Sequence, residues 1–534
     1  MKNSKKKKIV SFYHIAEINT SMNRLYKYQL HIIEQLKKLS EKVFLFLSAD
    51  NFDLDIEGVD IIEDNNVKFV TNYFNIKYEI ILLKDTFLGF FCNLSNLYNY
   101  HIQSRKALLG LFRTQNYIFK DFFIVKGEYL SIEKYFSFCT GKFEFSSNDV
   151  KWMINSGKTE LSLINDSLEL VDTYELPILT LDCFYQSKIT SINFNLCNEL
   201  YRTIDFLQKN NLYDINLIIE FISNKLNIGQ IKDVLNLNFI IDNKKISNHN
   251  FKKKVAVFAY LYYEDIFIES INYLKNVPTY VDIYIATDSL IKIHKIQQLS
   301  RLIKNSIHFI KVNPRGRDIA ALLIEFTKYF GEYDYACFIH DKKSSYMGYT
   351  VGKNFRKILW DNTLYSKNYI EQIIKLFNQK DYLGLLVPPN VFHGGYFSAF
   401  CNYWGVNYST TKILLQKFGN VPCSATESPI SVGSVFWFRT SALKKLNKLN
   451  LSNEDFPCEP FPNDGSIAHA IERIFPYVAQ SEGLLTATIY NAEYAANEIS
   501  TLRAVLQNFV STAIGNDLTD KVYTFEKLKE ILKR

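Results

Sequence analysis

Glycine and proline are scarce in this chain, with 20 glycines and 11 prolines among 534 residues. Their scarcity excludes a collagen-like repeat, a Gly/Ser-rich flexible protein and a Pro-rich extended one. The eight cysteines are scattered singly and form no CxxC pair, so neither a zinc knuckle nor a thioredoxin-like site is expected. A chain of this size needs no disulfide framework, and we therefore expect reduced thiols in a cytoplasmic protein.

Long apolar runs are lacking as well. No stretch of about 18 apolar residues runs without a charge, so no membrane-spanning helix is predicted. The basic run Lys5–Lys8 is followed by only a short apolar stretch that contains His14. No small-residue cleavage site follows it, so a signal peptide is not expected either.

Charge of one sign is not in large excess. The chain has 62 Lys and Arg against 55 Asp and Glu, a formal net charge of +7. Nucleic-acid-binding proteins concentrate positive charge far more, so no nucleic-acid partner is expected. The mild surplus suits an anionic small ligand or an anionic membrane surface equally well. The P-loop, nucleophile-elbow and zinc-protease motifs are also missing.

The composition is that of an ordinary globular protein, with 47% hydrophobic and 22% charged residues. At roughly 150 residues per domain, the length suggests about three domains or two large ones. In the first half, residues 9–16 and 43–48 have the pattern of buried strands on either side of an amphipathic helix at 22–39. We expect an N-terminal α/β domain at 1–175 and a mainly helical connector at 176–250.

The second half, 251–515, alternates predicted strands and helices clearly. The predicted strands are Val255–Leu261, Val281–Thr287, Ile307–Val312 and Tyr333–Ile339, and the predicted helices between them are Ile266–Leu274, Ile291–Ile303 and Asp318–Phe330. Repeated βαβ units with short connections build a right-handed, doubly wound α/β sheet of the Rossmann type. Both halves open with strand, helix, strand, which fits a duplicated domain or two unrelated α/β starts equally well. The tail 516–534 is predicted as an amphipathic helix.

Polar clusters follow the predicted strands of this second sheet. In an open doubly wound sheet, the ligand lies beyond the carboxyl ends of the strands. Those ends carry Tyr260–Tyr263, Asp288, Asn313–Asp318 and His340–Ser344. We therefore expect one ligand-binding rim that includes Tyr260 and Asp288. The alternative for Asp288 is a plain strand-end turn residue.

The densest of these clusters is His340-Asp341-Lys342-Lys343. Two ammonium groups beside one carboxylate can neutralise phosphate oxygens without a metal, because lysine acts on phosphate as a point charge. The alternative is a solvated turn in which Asp341 pairs with a lysine. No metal ligands are predicted, although Asp341 stays open for that role.

Arg315 and Arg317 precede a predicted helix and are candidates for an anion-binding site, beside Asp318. Asp318 could cap that helix or pair with an arginine in its first turn. The alternative is a capped helix with surface arginines.

A further helix opening, at residues 463–473, combines Asp464 as the predicted N-cap with His469 and Glu472, three residues apart on one face. Transfer of a group to a hydroxyl needs a carboxylate or a histidine to take the proton, so Asp464 and His469 are candidate catalytic residues. The alternatives are capping alone for Asp464 and a hydrogen-bonded, half-buried histidine for His469. A shared site requires Arg315, Lys342 and Asp464 to meet in one cavity.

Six ordered stretches carry a family resemblance: NPRGRDIAALL (313–323), HDKKS (340–344), LGLLVPP (383–389), GSVFWFRTSAL (433–443), DFPCEP (455–460) and NDGSIAHAIERIFPYVAQSEG (463–483). Through them, residues 254–490 resemble the rhamnan synthesis protein F family, cell-surface polysaccharide glycosyltransferases of the GT-A type. The resemblance implies a nucleotide-sugar donor, with dTDP-rhamnose as first candidate, and a polyprenyl-diphosphate-linked glycan acceptor. The family's motif residues fall here on Arg315, Arg317, Asp318, His340, Lys342, Lys343, Asp464, His469, Glu472 and Arg473, of which Glu472 and Arg473 are expected to support the acceptor side or the helix.

The leading hypothesis is an inverting rhamnosyltransferase in the synthesis of an O-antigen, capsule or wall rhamnan; the alternative is a non-catalytic scaffold with the same fold. HDKKS lacks a DxD pair, so a role for Mg or Mn stays open. The N-terminal domain is expected to be a second, divergent GT-A-like domain or an acceptor-binding module. Lys2, Lys5–Lys8 and the tail 516–534 could bind the inner face of the plasma membrane, or be a solvated tail and a core-docking helix.

Overall fold

The protein is described here from a computed structural model, which divides the chain into two compact units, Met1–Phe221 and Ile222–Arg534. The structure describes residues 8–15, 24–47, 56–62, 72, 77–85, 88–91, 108–109, 113–114, 122–126, 159–160, 163–164, 178–180, 214–245, 252–343, 349–390, 404–419, 421–431 and 433–514. Each unit contains an α/β arrangement on a largely parallel sheet, which confirms the predicted fold class.

The first unit is built on a sheet with strand order β3-β2-β1-β4-β8-β6-β9. Strands β1 to β4 run parallel, and β8 is antiparallel to β4. Its helix, Lys27–Leu39, buries Tyr28, Ile32 and Leu36 at helical spacing, as the amphipathic pattern predicts. The strands are β1 Lys8–Ile15, β2 Lys42–Leu47, β3 Asp60–Ile62, β4 Tyr78–Asp85, β5 Leu88–Phe91, β6 Leu108–Leu109, β7 Arg113–Thr114, β8 Phe122–Lys126, β9 Thr159–Glu160, β10 Leu163–Ile164 and β11 Ile178–Thr180.

The second unit is built on an eight-stranded sheet in the order β12-β19-β17-β18-β16-β13-β14-β15. Its strands are β12 Asn238–Ile241, β13 Val255–Tyr260, β14 Asp282–Thr287, β15 Ile307–Lys311, β16 Tyr335–His340, β17 Leu383–Val387, β18 Phe436–Arg439 and β19 Leu485–Asn491. Its α-helices are Ile228–Val234, Phe267–Leu274, Leu290–Leu299, Arg317–Ala320, Tyr349–Asp361, Lys367–Gln379, Tyr408–Leu415, Ile467–Glu472, Phe475–Ser481 and Ala492–Ile514, and the helix Asn216–Lys225 crosses the boundary between the units. Short 3-10 helices are Glu264–Ile266, Gln416–Phe418, Thr440–Leu449 and Asn453–Asp455.

The central strands β13 and β16 are buried along their whole length, because apolar residues fill both faces. They run parallel with Tyr260 opposite His340, so both strands end at the same edge of the sheet. Strand β18 is antiparallel to β16 and therefore begins at that edge. Polar residues that follow β13 and β16, and those that precede β18, are thereby brought together.

The two sheets share a strand order. In the first unit the first four strands along the chain lie in the order third, second, first, fourth, followed by an antiparallel strand. Strands β13 to β16 of the second unit repeat this order and are followed by the antiparallel β18. The strand–helix–strand similarity seen in the sequence therefore extends to a common arrangement of five strands.

Several features differ from the sequence-based expectation or lie beyond what is described. The predicted helix Asp318–Phe330 is a four-residue α-helix, Arg317–Ala320, that continues as the π-helix Ala321–Glu325 and the 3-10 helix Phe326–Glu332. Strand β12, in the stretch predicted as a connector, pairs with β19 in the second sheet. Lys2, Lys5–Lys7 and the tail 516–534 lie outside the described residues, while Lys8 forms an ion pair with Glu41. No helix in the described part of the chain is long and apolar enough to cross a membrane.

Candidate functional site

A cavity of about 460 Å³ opens at the carboxyl edge of the second sheet. Its walls come from the segments after β13 and β16, from the segment between β15 and the helix Arg317–Ala320, and from that helix itself. Ser434 before β18, the loop at 459–461 and the helix Ile467–Glu472 complete them. The lining residues are Tyr260, Tyr262, Tyr263, Pro314, Gly316, Arg317, Asp318, Ile319, His340, Asp341, Lys342, Lys343, Ser434, Glu459, Phe461, Ala468, His469 and Glu472.

Two buried polar atoms in this wall, the hydroxyl of Tyr260 and Oδ1 of Asp341, have no hydrogen-bond partner among the residues that the structure describes. The other carboxylate oxygen of Asp341 accepts the backbone N–H groups of Tyr262 and Tyr263, each at 2.7 Å. Burial raises the pKa of Asp341 to about 7, although those two N–H groups oppose the shift. Burial also raises the pKa of the Tyr260 hydroxyl. Unsatisfied buried polar atoms are uncommon, and in a cavity wall they are available to a ligand.

The peptide group of Gly433 links the end of β16 to the helix Ile467–Glu472 through two hydrogen bonds. Its carbonyl accepts a hydrogen bond from Nε2 of His340 at 2.7 Å, and its N–H donates to Oε1 of Glu472. Asp318 Oδ2 lies 3.7 Å from the same His340 nitrogen. Gly433 has φ +108°, and a Cβ there would lie 2.9 Å from Cδ1 of Leu359, so the position requires glycine.

The two lysines of the HDKKS stretch differ in their surroundings. Lys343 Nζ is paired with Asp265 at 2.7 Å. Lys342 Nζ lies over the ring of Phe355, 4.5 Å from its centroid, and forms no ion pair with any residue that the structure describes. Arg356, which is buried, donates to the Lys342 carbonyl at 2.7 Å and binds both carboxylate oxygens of Glu269. Its guanidinium thereby fixes the backbone that carries the unpaired ammonium group.

The arginines at 315 and 317 have structural partners. Arg315 donates from Nε to the Phe456 carbonyl and from Nη2 to the Glu454 carbonyl, and it does not line the cavity. Arg317 does line it, stacked on Phe461 and paired through two 3.1 Å hydrogen bonds with Glu459.

Of the two roles left open for Asp318, helix cap or partner of an arginine, the cap is taken by another residue. Gly316, with φ +81°, is the N-cap, and Asp318 is the second residue of the helix.

The helix Ile467–Glu472 is capped by Ser466, which corrects the predicted N-cap at Asp464. Asp464 Oδ1 accepts hydrogen bonds from Asn407 Nδ2 and the Gly465 N–H, outside the cavity wall. His469 lines the cavity, and its Nδ1 is 2.8 Å from the Ser466 hydroxyl. Burial lowers the pKa of His469, so the ring is neutral near pH 7.

Glu472 in the cavity wall and Arg473 behind it form a largely buried charged pair. Arg473 Nη1 lies 3.5 Å from Oε2 of Glu472 and donates to the His469 carbonyl. Burial alone favours the neutral acid, but the positive charges of Lys342 and Arg473 outweigh it and lower the pKa of Glu472. Glu472 is therefore an ionised carboxylate that faces Lys342.

Nine of the thirteen sequence-predicted site residues line this one cavity. They are Tyr260, Arg317, Asp318, His340, Asp341, Lys342, Lys343, His469 and Glu472. Arg315, Asp464 and Arg473 lie outside the wall, so the expected meeting of Arg315, Lys342 and Asp464 in one cavity does not occur. Asp288 is also outside and pairs with Lys292 at 2.7 Å.

A metal cluster is not found in the described part of the second unit or elsewhere among the described residues: no three His, Cys, Asp or Glu side chains come together as ligands. Asp341 Oδ1 is the unpartnered oxygen that remains available in the wall. The described residues therefore offer a divalent ion few protein ligands at this cavity.

Sequence reasoning assigned no role to Ser434, Glu459 and Phe461, although all three line the cavity. Ser434 and Glu459 lie within the stretches GSVFWFRTSAL and DFPCEP. Their presence in those stretches was a signal, but no residue type in either one points to phosphate or sugar chemistry by itself.

Comparison with known sequences adds the family. The profile of the family described as rhamnan synthesis protein F matches residues 98–484, well over half of the chain. Two curated relatives, each called uncharacterized protein WxcX, come from two strains of Xanthomonas campestris pv. campestris and are 24% identical over 238 residues. The match covers 44% of this chain and 32% of each relative, so the chain spans about a third of the length of the curated relatives it matches.

Comparison with solved structures gives distant similarities. A cytidylyltransferase from Leptospira borgpetersenii is 13% identical with a TM-score of 0.23, over 45% of this chain and 77% of that one. The glycosyltransferase GlyE of Streptococcus pneumoniae is 12% identical with a TM-score of 0.19, over 63% of this chain and 86% of that one. Such TM-scores are too low to establish a common fold with these proteins, and the α/β fold of this chain rests on its own strand order.

Proposed function

Because the chain belongs to the rhamnan synthesis protein F family, we propose that it is a glycosyltransferase of surface-polysaccharide synthesis. The donor is a nucleoside-diphosphate sugar, with dTDP-rhamnose as first candidate, and the acceptor is a polyprenyl-diphosphate-linked glycan. The observation that carries the proposal is the juxtaposition, in one cavity, of the unpaired Lys342 ammonium and the unpartnered Asp341 oxygen.

The diphosphate of the donor is proposed to bind the ammonium group of Lys342. Breaking the bond between a sugar and a diphosphate leaves negative charge on the leaving oxygens, and a cation placed there stabilises the transition state. Lys343 and Arg317 already have the carboxylate partners Asp265 and Glu459, and would have to exchange them to bind a phosphate. Among the described residues, Lys342 has the Phe355 ring beneath it, the Glu472 charge nearby and no ion-pair partner to exchange, so its ammonium group is available to a phosphate.

Tyr260 and Asp341 suit the hydroxyl groups of the donor. An ionised carboxylate accepts hydrogen bonds from hydroxyls, and a phenol can donate or accept one. Both side chains are less than 5% exposed and both line the cavity, so a bound hydroxyl would satisfy atoms that are otherwise unpartnered.

The proton of the acceptor hydroxyl is assigned to Asp318. Of the carboxylates in the wall, Glu459 is held by Arg317, Glu472 by Arg473 and the Gly433 N–H, and Asp341 by two N–H groups. Asp318 is partly exposed, lies 3.7 Å from Nε2 of His340, and has no ion pair with a lysine or arginine among the described residues. A general base must be a carboxylate or a histidine within reach of the hydroxyl.

The test is transfer itself. Purified protein is incubated with dTDP-rhamnose and a panel of other nucleotide sugars, with a polyprenyl-diphosphate glycan, and with Mg²⁺, Mn²⁺ or EDTA. Released nucleoside diphosphate and glycolipid product are measured. Transfer from at least one donor is expected.

Lys342→Ala should weaken the binding of a nucleoside diphosphate at least tenfold. Lys253→Ala removes the same charge beside Asp334, at the other end of β16, and should leave binding unchanged. Absence of both transfer and nucleotide binding across the panel would favour the non-catalytic scaffold.

A further inference from the structure

The ring of His469 is held by hydrogen bonds that fix which nitrogen carries the proton. The backbone N–H of Ser466 points to Nδ1 at 3.3 Å, and a backbone N–H can only donate. The Ser466 hydroxyl is 2.8 Å from the same nitrogen and accepts the His469 backbone N–H, so its own hydrogen is free to go to Nδ1. Nδ1 is therefore an acceptor, and in a neutral imidazole the proton is then on Nε2.

The surroundings keep that ring neutral and in place. Its charged neighbours, in order of effect, are Glu472, Asp464, Arg473 and Lys342, two of each sign, and burial disfavours the imidazolium. The ring lies edge-on to Phe461, with centroids 5.8 Å apart, and His469 is in the cavity wall with Lys342.

We propose that His469 is a binding residue that donates Nε2–H to an oxygen of the donor's diphosphate, and that it does not act as the general base. This inference rests on the proposed function, since it needs a diphosphate in the cavity. A neutral donor beside an ammonium group adds a directed hydrogen bond to an anion that Lys342 attracts only as a point charge. The capping box that orients the ring is thus part of the binding site, and Ser466 acts through it as a positioning residue.

Two substitutions separate the two ring nitrogens. The amide nitrogen of Gln reaches about as far as Nε2, so His469→Gln keeps a donor there. The amide of Asn reaches only as far as Nδ1, so His469→Asn keeps the cap and loses the donor. With dTDP and UDP as titrants, calorimetry should give a Kd about tenfold weaker for His469→Asn, roughly 1.4 kcal/mol, and within about threefold of wild type for His469→Gln.

The tautomer has its own readout, independent of activity. Nitrogen-15 NMR of histidine-labelled protein should show Nδ1 unprotonated and Nε2 protonated in wild type. Ser466→Ala should weaken this preference and weaken dTDP binding. Ser366→Ala removes an equivalent cap, from the helix Lys367–Gln379, and should change neither property.

Each failure has a distinct meaning. If wild type binds dTDP but His469→Asn binds as well as wild type, or if the proton is on Nδ1, the role given to His469 is wrong while the proposed function stands. If both His469 variants bind normally but lose turnover, and wild-type turnover falls as the imidazole protonates, His469 is the base instead. If wild type binds neither dTDP nor UDP nor any other nucleoside diphosphate of the donor panel, the proposed function itself is overturned.

Discussion

Replacing Asp341 by asparagine should stabilise the protein at pH 8, because the carboxylate destabilises the fold whenever it is ionised. Asp341 is 4% exposed, and burial raises its pKa from the ordinary value of 3.8 to about 7. An acid whose pKa is higher in the folded state binds its proton more tightly when folded, so its contribution to stability falls as pH rises. The window in which this happens lies between pH 3.8 and about 7.

The size of the effect follows from that window. At about 1.4 kcal/mol per unit, the raised pKa of Asp341 lowers the free energy of unfolding, relative to acid pH, by about 4 kcal/mol at pH 8 and by about 1.6 kcal/mol at pH 5. The amide introduced by Asp341→Asn does not titrate, and whatever it gains or loses in hydrogen bonding is the same at both pH values. The advantage of Asp341→Asn over wild type should therefore be larger at pH 8 than at pH 5 by about 2.5 kcal/mol.

Urea unfolding followed by tryptophan fluorescence measures this difference, since Trp360, Trp404 and Trp437 are all buried in the second unit. Asp455→Asn is the control. Hydrogen bonds from the Ser452 N–H and hydroxyl lower the pKa of Asp455, so its contribution changes only below about pH 4 and should be constant between pH 5 and 8. A difference for Asp341→Asn that does not depend on pH, or that grows towards acid, would refute the buried-carboxylate reasoning.

The other predictions concern the two groups that support the cavity wall. Gly433→Ala should lower the free energy of unfolding by about 2–3 kcal/mol in urea titrations, because φ is +108° and the new Cβ would lie 2.9 Å from Leu359. Gly331→Ala is the control: a Cβ there has nothing within 4 Å, so the free energy of unfolding should change by less than about 1 kcal/mol. Equal effects of the two substitutions would contradict the steric argument. Arg356→Ala should lower the free energy of unfolding by about 3 kcal/mol, because it leaves Glu269 without its partner. It should also weaken dTDP binding, because the Lys342 carbonyl loses its hydrogen bond from Arg356. Arg301→Ala, at an exposed position, should have neither effect. Normal dTDP binding by Arg356→Ala would show that the hydrogen bond from Arg356 is not needed to position Lys342.

The sheet and the polar edge that carries the cavity could be predicted because their signals are local. Each buried strand is a short apolar run, and each is followed by polar residues, as in the passage from β16 into Asp341-Lys342-Lys343. Parallel strands bring such ends to one edge whatever the details of the loops. Tyr260 and His340, 80 positions apart in the sequence, are direct neighbours for this reason.

The roles of Asp464 and Arg315 could not be predicted because their partners are distant in sequence. Asp464 and Ser466 are both good N-cap residues, and in the structure Ser466 accepts the His469 N–H as the cap, while Asp464 accepts a hydrogen bond from Asn407, 57 positions away. Arg315 has the residue type of a phosphate ligand, but its hydrogen bonds go to backbone carbonyls about 140 positions further along the chain. Residue type predicts which chemistry is available, whereas the partner decides whether it is used.

Gly433 combines a local sequence signal with partners that are distant in sequence. The stretches that contain His340, Gly433 and Glu472 resemble the family separately, and nothing in any one of them indicates that they touch. In the structure one peptide group accepts from His340 and donates to Glu472, so the end of β16 and the helix that carries His469 are fixed relative to each other through it. A side chain at this position would push against Leu359 and Phe355, the ring on which Lys342 rests. The glycine is therefore required by the geometry that places the cation, the carboxylate and the imidazole around one cavity.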